Sequence, residues 1–549
     1  MRTKHYQELI QEFTPALVED QFSGSLDGGL NACVEICDRH AATDPNRIAL
    51  RYLRSNGERG ELSFAELQRR AAQFANYLKR LGIGRGDRVA GLLPRTPELL
   101  ITILGTLRAG AVYQPLFTAF GSGAIEYRVN QANTKLIVTN TEQWPKLAEV
   151  NGLPATLLVA EAPAAAKADA LFSVIDAESD HFEPVLIGKE EPFLQMFTSG
   201  TTGKSKGVAV PTRALIPFWC YMTYAIDLRA EDNYWNVADP GWAYGLYYAV
   251  VGPLLLGCTT HFNEAGFTAD NTFQFMQDYQ ITNLAAAPTA YRLLMANEAL
   301  RANYRIDLRV ASSAGEPLNP EVVTWMQRVF GCPVRDQYGQ TETGMTAGNM
   351  HALVHQERVA SMGFPLPGYR LVALDSELNE VGTGETGELA VDVEQSPLFF
   401  FQGYTWGEKN PFQGKYYLTG DMVINNGDGS HSYTGRDDDI IASAGYRIGP
   451  ADVESTLLEH AAVIESAVVG KPDDQRGSIV KAYVVLRAGL DGDDTLVEEL
   501  QQFVRKRLST HSFPREIAFV DELPKTPSGK LQRFLLRQRA AEEATSSIA

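Results

Sequence analysis

The sequence is poor in cysteine and in long apolar runs, and each shortage excludes a class of protein. Five cysteines in 549 residues cannot build a disulfide framework, and Cys33 and Cys37, four apart, fit neither a zinc knuckle nor a C-x-x-C redox pair. The longest apolar stretch, residues 244–258, contains three glycines and a proline and is too short to span a bilayer. We therefore expect a reducing compartment and no membrane span.

Positive charge is also scarce. The chain has 49 basic and 67 acidic side chains, a formal net charge of −18 and a pI near 5.1. Nucleic acids and anionic membranes attract cationic surfaces, so neither is expected as a partner. Arg2, Lys4 and His5 are followed by no apolar core, so no secretory signal is visible and we expect a cytoplasmic protein.

Short apolar strands alternate with amphipathic helices along most of the chain. Ser63 and Glu66 form a capping box before a helix with one apolar face, a strand follows over 88–93, and a second helix after Pro97 leads into the extended segment 111–116. This alternation predicts an α/β fold with largely parallel sheets. We expect a large layered N-terminal body with two α/β subdomains and a smaller β subdomain.

The texture of the sequence changes near residue 435, where charges and glycines are packed together. Strands over 467–469 and 481–486 follow, with a helix capped by Thr495 and Glu498. We expect two domains, residues 1–437 and a small mobile α+β domain over 438–549, which is of usual domain size. Residues 161–170, which have little bulk, are expected to form a surface loop that connects two sheet-bearing halves.

The sequence MFTSGTTGKSKG, residues 196–207, has the composition of a polyphosphate loop. Its glycines let backbone N–H groups approach phosphate oxygens, its hydroxyls donate hydrogen bonds and its lysines offset charge. The candidate ligands are Thr198, Ser199, Gly200, Thr201, Thr202, Gly203, Lys204 and Lys206. A Walker P-loop is the sharper rival, but Thr198 occupies the place of its first glycine. A plain surface turn is the other alternative.

This loop resembles that of the adenylate-forming superfamily, which includes acyl-CoA synthetases, luciferases and the adenylation domains of peptide synthetases. Ser205 stands where that family usually has proline, a departure expected to change loop stiffness more than chemistry. Five further segments follow in the family's order: SSAGEP (312–317), DQYGQTE (336–342), YLTGD (417–421), GRDDD (435–439) and PKTPSGK (524–530).

The resemblance implies a role for each segment. Glu342 helps to hold Mg²⁺, Thr341 contacts the α-phosphate and Asp421 binds both ribose hydroxyls. Lys530 is the mobile catalytic lysine and Asp438 is the hinge. The remaining ATP- and AMP-binding candidates are Gly315, Glu316, Pro317, Asp336, Gln337, Tyr338, Gly339, Gln340, Arg436 and Arg447. Taken singly, the charged residues could equally be solvated surface groups.

The implied enzyme is an AMP-forming acid–thiol ligase. A carboxylic acid reacts with Mg-ATP to give an acyl-adenylate and diphosphate, and the CoA thiolate then displaces AMP. The C-terminal domain rotates between the two steps. Lys530 then leaves the active site, and a segment that contains Gly445 and Tyr446 takes its place. Acetylation of Lys530 would remove its charge, so a lysine acetyltransferase or deacylase is a further candidate partner.

The same resemblance bears on the acid and on CoA. Acetyl- and propionyl-CoA synthetases have a tryptophan where this chain has Gly339, so the acyl pocket is expected to extend there. Trp242 and Tyr244 are either pocket residues or plain core aromatics. Arg505 aligns with a residue that meets the CoA 3′-phosphate, although a solvated helix charge is the alternative.

The closest resemblance is to medium-chain acyl-CoA synthetases and acetyl-CoA synthetase-like proteins. The leading hypothesis is a CoA ligase for short-to-medium-chain aliphatic acids longer than propionate. An aryl-acid ligase, or transfer to a carrier-protein thiol, is the alternative within the same class. A nucleotide-binding regulator without catalysis is a third hypothesis, which the presence of Glu342, Asp421 and Lys530 opposes.

Overall fold

The computed structural model describes residues 4–159, 169–198, 205–359, 361–406, 410–436, 439, 441–443, 446–473, 476–508, 512–525 and 531–546. No helix within these ranges is long and apolar enough to cross a membrane.

The described strands are β1 (Lys4–His5), β2 (Ile48–Leu53), β3 (Arg59–Ser63), β4 (Arg88–Leu92), β5 (Val112–Pro115), β6 (Thr134–Thr139), β7 (Ala155–Leu158), β8 (Asp169–Ala170), β9 (Pro192–Thr198), β10 (Lys206–Pro211), β11 (Tyr234–Asn236), β12 (Thr260–Asn263), β13 (Asn283–Ala286), β14 (Val310–Ala314), β15 (Val334–Gln340), β16 (Gly344–Gly348), β17 (Leu353–Val354), β18 (Phe364–Pro365), β19 (Leu371–Leu374), β20 (Thr386–Asp392), β21 (Phe412–Gln413), β22 (Tyr416–Asn425), β23 (His431–Arg436), β24 (Ile441–Ser443), β25 (Tyr446–Ile448), β26 (Val463–Asp473), β27 (Gly477–Leu486) and β28 (Glu516–Phe519).

The described α-helices are α1 (Tyr6–Glu12), α2 (Ala16–Glu19), α3 (Arg39–Thr43), α4 (Phe64–Arg80), α5 (Pro97–Arg108), α6 (Ser122–Gln131), α7 (Trp144–Leu147), α8 (Leu171–Ile175), α9 (Leu215–Cys220), α10 (Ala243–Gly245), α11 (Gly252–Leu255), α12 (Ala269–Asp278), α13 (Pro288–Ala296), α14 (Pro320–Phe330), α15 (Pro450–Leu458), α16 (Asp494–Arg507) and α17 (Arg533–Ser546). Short π-helical turns lie at Val34–Asp38, Tyr221–Ala225 and Leu246–Val251, and 3-10 turns at Thr212–Ala214, Glu298–Asn303 and Val393–Gln395.

Three large sheets build most of the described N-terminal body, beside a small sheet of order β12-β2-β3 and the parallel pair β1-β17. The first has the order β10-β9-β5-β4-β6-β7-β8 and is parallel except for β10. The second has the order β11-β13-β14-β15-β16-β18, with its first four strands parallel. The third is antiparallel, with β23 joining β19-β20-β22-β21 through β22. The predicted α/β class with two α/β subdomains and a smaller β subdomain is confirmed.

Local sequence accounts for the helices that support the first sheet. The Ser63 hydroxyl accepts from Glu66 N at the start of α4, as the capping box predicts. Every residue of α5 is buried because α5 packs between α4 and the sheet. Both the strand predicted over 88–93 and the helix predicted after Pro97 are confirmed.

The predicted connector at 161–170 lies mostly outside the described residues, but its flanks contradict the expected arrangement. Strands β7 and β8, on either side of it, are parallel neighbours in the same seven-stranded sheet. The segment therefore closes a crossover within one sheet and does not connect two halves. Its lack of bulk predicted a loop but could not show which strands the loop connects.

A small α+β unit follows β23. Strands β26, β27 and β28 form its sheet, and α15, α16 and α17 pack on it through buried residues such as Val453, Val504 and Leu536. The cap predicted at Thr495 is wrong: the helix begins earlier, at Asp494, and the carboxylate of Asp493 accepts from Leu496 N. Aspartate is at least as good an N-cap as threonine, so Asp493 and Thr495 could each have capped this helix. The boundary at 437/438 stays a prediction.

Candidate active site

Strands β9 and β10 form the antiparallel hairpin that presents the phosphate-loop motif. Thr198, at the end of β9, pairs with Lys206, at the start of β10. Thr405 N donates to Gly207 O at 2.9 Å, and a β-carbon on Gly207 would lie 2.5 Å from the Trp406 ring. Glycine at 207 therefore allows the segment around Trp406 to lie directly against the base of the hairpin.

The SSAGEP segment, residues 312–317, leaves the end of β14 with a left-handed glycine, Gly315, at φ +98°. The carboxylate of Glu316 accepts from the Thr289 hydroxyl at 2.8 and 2.9 Å and from Arg292 Nη2 at 2.9 Å. Both partners belong to α13, so Glu316 braces the segment against that helix. Pro317 and Gly315 are exposed.

The magnesium motif lies on the neighbouring strand. In the parallel pair β14/β15, Ser313 is opposite Asp336 and Ala314 is opposite Gln337, so the two motifs meet at the same edge of the sheet. The Asp336 carboxylate accepts from Leu318 N at 3.3 Å and from Gln337 N at 3.1 Å. Enclosure by protein atoms raises the pKa of Asp336 to about 8, although these two hydrogen bonds oppose the shift.

Asp421 connects the second sheet with the third. Its Oδ2 accepts from the Tyr338 hydroxyl and, at 2.7 Å, from Gln340 Nε2. Its Oδ1 lies 3.4 Å from Arg436 Nη1, opposite it in the β22/β23 register. Tyr417 donates to Gln340 Oε1 at 2.9 Å, which fixes the amide. The structure therefore brings together four residues that the sequence predicted separately.

Thr341 and Glu342 lie in the turn between β15 and β16. Tyr247 donates to the Thr341 carbonyl at 3.0 Å, and Tyr404 donates to Glu342 Oε1 at 2.9 Å. Glu342 is 7% exposed, and burial raises the pKa of its carboxyl above the ordinary value. The Tyr404 hydrogen bond and the charges of Lys206 and Arg436 oppose that shift.

This environment fits a hard divalent cation. The Tyr404 hydroxyl and the charges of Lys206 and Arg436 favour the ionised form of this buried carboxylate, and Mg²⁺ prefers one or two carboxylates together with substrate phosphates. Within the described ranges, no group of three or more His, Cys, Asp or Glu residues could hold a metal by itself. Glu342 would be the protein ligand of such an ion, with phosphate oxygens of ATP as further ligands.

A side chain at residue 339 would have no room, and the acyl pocket expected there stays a prediction. A β-carbon there would lie 2.2 Å from Gly344 O and 2.5 Å from Met345 Sδ, because β15 and β16 carry a register shift between residues 338 and 339. The space is filled by the facing strand. Sequence cannot show which atoms face a glycine, and Met345, which the motif did not identify, is the side chain that lies there.

Trp242 and Tyr244 are both half-buried but face different neighbours. Trp242 packs against Phe117 and Phe120 with ring centroids 5.4 and 5.5 Å away, and its Nε1 is buried without a hydrogen-bond partner in the described part of the chain. The Tyr244 hydroxyl lies 3.1 Å from that of Tyr221. Core packing therefore explains the ring of Trp242, and its role in an acyl pocket stays a prediction.

Arg505 lies on α16 within an arginine group of the C-terminal unit. Its guanidinium lies 5.6 Å from the Phe513 ring centroid, and that of Arg515 lies 4.4 Å from the same centroid. The pKa of Arg515 is lowered by burial and by the charges of Arg476 and Arg505. These guanidinium groups form a local excess of positive charge in an acidic protein.

Some predicted site residues lie outside the described residues: Ser199, Gly200, Thr201, Thr202, Gly203, Lys204, Asp438, Gly445 and Lys530. The structure describes Tyr446 and Arg447 only as backbone in β25.

The sequence missed Tyr404 and Arg128. Tyr404 contacts Glu342 from 62 positions away, and Arg128 donates to Ser205 Oγ at 2.9 Å from α6. Neither belongs to a segment that the resemblance marked. The one available signal was Ser205 itself, a hydroxyl in place of the family's proline.

The sequence model of the AMP-binding enzyme family matches residues 37–404. The chain belongs to this family. The model of the AMP-binding enzyme C-terminal domain matches residues 452–530, and the layered α/β body followed by a small α+β unit agrees with both matches.

Two curated relatives of this AMP-binding enzyme are similar over nearly their whole length. Acetyl-coenzyme A synthetase of Bacillus subtilis is 35% identical over 97% of this chain and 95% of its own. The human mitochondrial acyl-coenzyme A synthetase ACSM4 is 35% identical over 90% of this chain and 87% of its own.

Solved structures agree. An acyl-CoA synthetase of Brucella canis is 50% identical, with a TM-score of 0.80 over 99% of this chain and 100% of its own. An anthranilate CoA ligase in complex with anthranoyl-AMP is 25% identical, with a TM-score of 0.86 over 94% and 98%. The chain is therefore an AMP-forming acyl-CoA synthetase, and ATP, CoA and a carboxylic acid are its substrates.

Proposed function

We propose that this synthetase activates a short-to-medium-chain aliphatic acid longer than propionate. The chain length is argued from the side chain that fills the space at Gly339, where acetyl- and propionyl-CoA synthetases have an indole. Met345 lies at that position instead, and an unbranched thioether adapts its shape to what it packs against. The end of the acyl site is therefore set by a flexible side chain.

The nucleotide is held between the second and third sheets. The 315–317 segment and Tyr338 border the adenine, and Asp421, a carboxylate with no proton to give, accepts from both ribose hydroxyls. Thr198 and Lys206, with Ser199 to Lys204, surround the phosphates. The Thr341 hydroxyl donates to the α-phosphate, where negative charge develops as the acid's carboxylate oxygen attacks.

Glu342 would hold the magnesium ion that accompanies ATP. The ion supplies charge neutralisation on the phosphate oxygens as diphosphate departs. Support comes from the position of Glu342 in the turn after β15, next to Thr341, and from the cationic groups of Lys206 and Arg436 that favour its ionised form. These cations border the same region as the phosphate hairpin.

The C-terminal domain, which we place at residues 438–549, supplies Lys530 to the adenylation step and then turns about Asp438. Asp439, the next residue, pairs with Arg537 and lies 3.6 Å from Arg533, both on α17. Asp439 therefore moves with the C-terminal domain, which supports a hinge immediately before it. Gly445, Tyr446 and Arg447 would face the site in the other state. Modification of Lys530 by an acetyltransferase would stop the first step by removing its charge.

CoA is bound through its phosphates on the arginine group around Phe513. Arg505 is the proposed contact to the 3′-phosphate, since a guanidinium binds phosphate through two parallel hydrogen bonds. The mutual repulsion of Arg476, Arg505 and Arg515 would be relieved by a dianionic ligand.

Diphosphate release with Mg-ATP tests the proposal, measured over acetate to decanoate, branched acids and benzoates, with and without CoA. Identification of the thioester by mass spectrometry completes it. We expect a CoA-dependent optimum at four or more carbons. An optimum at acetate would overturn the chain length and leave the reaction intact.

An aryl acid is the second candidate, because solved structures of similar fold include an anthranilate and a benzoate CoA ligase. A benzoate optimum in the same assay would favour it. Diphosphate release without any CoA thioester would instead direct attention to a carrier-protein thiol.

A further inference from the structure

The geometry points to Tyr404 as a positioning residue for Glu342, an inference that rests on the proposed role of Glu342 in holding magnesium. The Tyr404 hydroxyl donates to Glu342 Oε1 at 2.9 Å. Because the phenol occupies one oxygen, it holds the carboxylate in one orientation, in which Oε2 would remain for a cation. Ligating carboxylates commonly need such a hydrogen-bonded partner.

Tyr404 is itself held on several sides. Its backbone forms a β-bridge with Val208 of β10, and its ring lies edge-on to Phe401 with centroids 5.1 Å apart. The ammonium of Lys206 lies 4.5 Å from the ring centroid, within the range of a cation–π contact. The phenol therefore cannot turn away from Glu342 without leaving the phosphate hairpin.

This arrangement couples the phosphate hairpin to the metal carboxylate. Lys206 contacts the face of the ring whose hydroxyl holds Glu342, so a displacement of β10 moves both. Loss of the hydroxyl would release the carboxylate from this orientation.

The test compares binding of the metal with binding of the nucleotide alone. Mn²⁺ affinity is measured by electron paramagnetic resonance in the presence of α,β-methylene-ATP, which is not cleaved, and AMP affinity is measured by calorimetry without metal. We expect Tyr404→Phe to weaken Mn²⁺ binding about 10-fold or more and to leave AMP affinity unchanged. A merely structural role would weaken AMP binding as well.

Tyr304→Phe is the matched control. The Tyr304 hydroxyl donates to Asp270 Oδ1 at 2.6 Å on an exposed surface of the N-terminal body, so the same chemical group is removed away from the site. We expect no change in Mn²⁺ or AMP affinity. Unchanged Mn²⁺ affinity in Tyr404→Phe overturns the inference.

Glu342→Gln separates this inference from the proposed function. If Glu342→Gln loses Mn²⁺ binding and Tyr404→Phe does not, Tyr404 has no positioning role and the magnesium carboxylate stands. If Glu342→Gln retains Mn²⁺ binding, both ideas fail. When the inference holds, Tyr404→Phe adds nothing in a Glu342→Gln background, because the group that it positions is already lost.

Discussion

Arg128 Nη2 donates to the Ser205 hydroxyl at 2.9 Å, which connects α6 to the residue that follows the phosphate-loop glycines. The Arg128 guanidinium lies over two aromatic rings, 4.1 Å from the ring centroid of Phe120 and 5.4 Å from that of Phe197. Burial lowers the pKa of Arg128 to about 10. Tyr127 also donates to the Ser205 carbonyl at 2.9 Å. A hydrogen bond thus constrains the loop at Ser205, the position where the family usually has a proline whose ring would fix φ.

Replacement of Ser205 by alanine tests this anchor. The change leaves a half-buried guanidinium without one acceptor, so we expect Tm to fall by about 1–3 °C and the KM for ATP to rise severalfold. Calorimetry and diphosphate-release kinetics measure the two effects. Ser122 lies on α6, as Arg128 does, and Ser122→Ala removes only a surface hydrogen bond to Glu149. This control should change neither Tm nor the KM for ATP. If Ser205→Ala gave the same values as Ser122→Ala, the proposed anchoring of Ser205 by Arg128 would be refuted.

Sequence predicts most readily what is local. The Ser63 cap, the strand after it and the buried helix from Pro97 follow from spacing within a single turn or strand. The Asp493 cap shows where this reasoning fails, because two residues two positions apart offered comparable acceptors and only the packed helix determines which one is used.

The rest depends on contacts between distant segments. Tyr404 meets Glu342 only because the chain after β20 folds back onto β10, and the atoms that face Gly339 come from the next strand. The sequence indicated that a glycine replaced a bulky residue at 339. It could not indicate that the facing strand fills the space beside that glycine.

Lys530→Ala should separate the two half-reactions. Loss of the ammonium removes charge stabilisation from the attack on the α-phosphorus, so adenylate formation should fall by several orders of magnitude. Thioester formation from synthetic acyl-AMP and CoA should retain most of its rate, because the proposed rotation takes Lys530 out of the site. Equal loss in both assays would exclude that role. Lys525→Ala, a lysine that pairs with Glu465 nearby, is the control.

The raised pKa of Asp336 predicts a pH-dependent stability. The folded state keeps the proton to about pH 8, whereas an ordinary aspartate releases it near 3.8. Unfolding therefore releases a proton between these values, and stability falls as pH rises, by at most about 1.4 kcal/mol per pH unit. In calorimetry from pH 5 to 8, the Tm of the wild type should fall relative to that of Asp336→Asn.

Asp375→Asn is the control for this pH dependence. Hydrogen bonds from Asn379 lower the pKa of the exposed Asp375, so its contribution is lost only in more acidic solution. Its Tm difference from the wild type should stay constant between pH 5 and 8. A constant difference for Asp336→Asn as well would mean that Asp336 is ionised throughout this range.

Arg505→Ala should raise the KM for CoA about 10-fold, the effect of losing one charge-assisted hydrogen bond. Adenylate formation, measured as ATP–diphosphate exchange without CoA, should be unchanged. Arg507→Ala is the matched control on α16, since Arg507 packs on Phe503 at 4.5 Å and pairs with Glu459. Equal effects of the two variants would make Arg505 a solvated helix charge.

Substitutions of Gly339 and of Met345 should have different effects on acyl specificity. Because a β-carbon at residue 339 collides with Gly344 O at 2.2 Å, Gly339→Ala should lower kcat/KM for all acids alike and reduce Tm. Met345→Ala empties a space beside the same residue, so the preferred acid should become longer by about two carbons. Each additional methylene buried in that space should favour binding by about 0.8 kcal/mol. Kinetics over butyrate to decanoate measure both. An unchanged profile in Met345→Ala would place the end of the acyl site elsewhere, and Trp242 would become the next residue to vary.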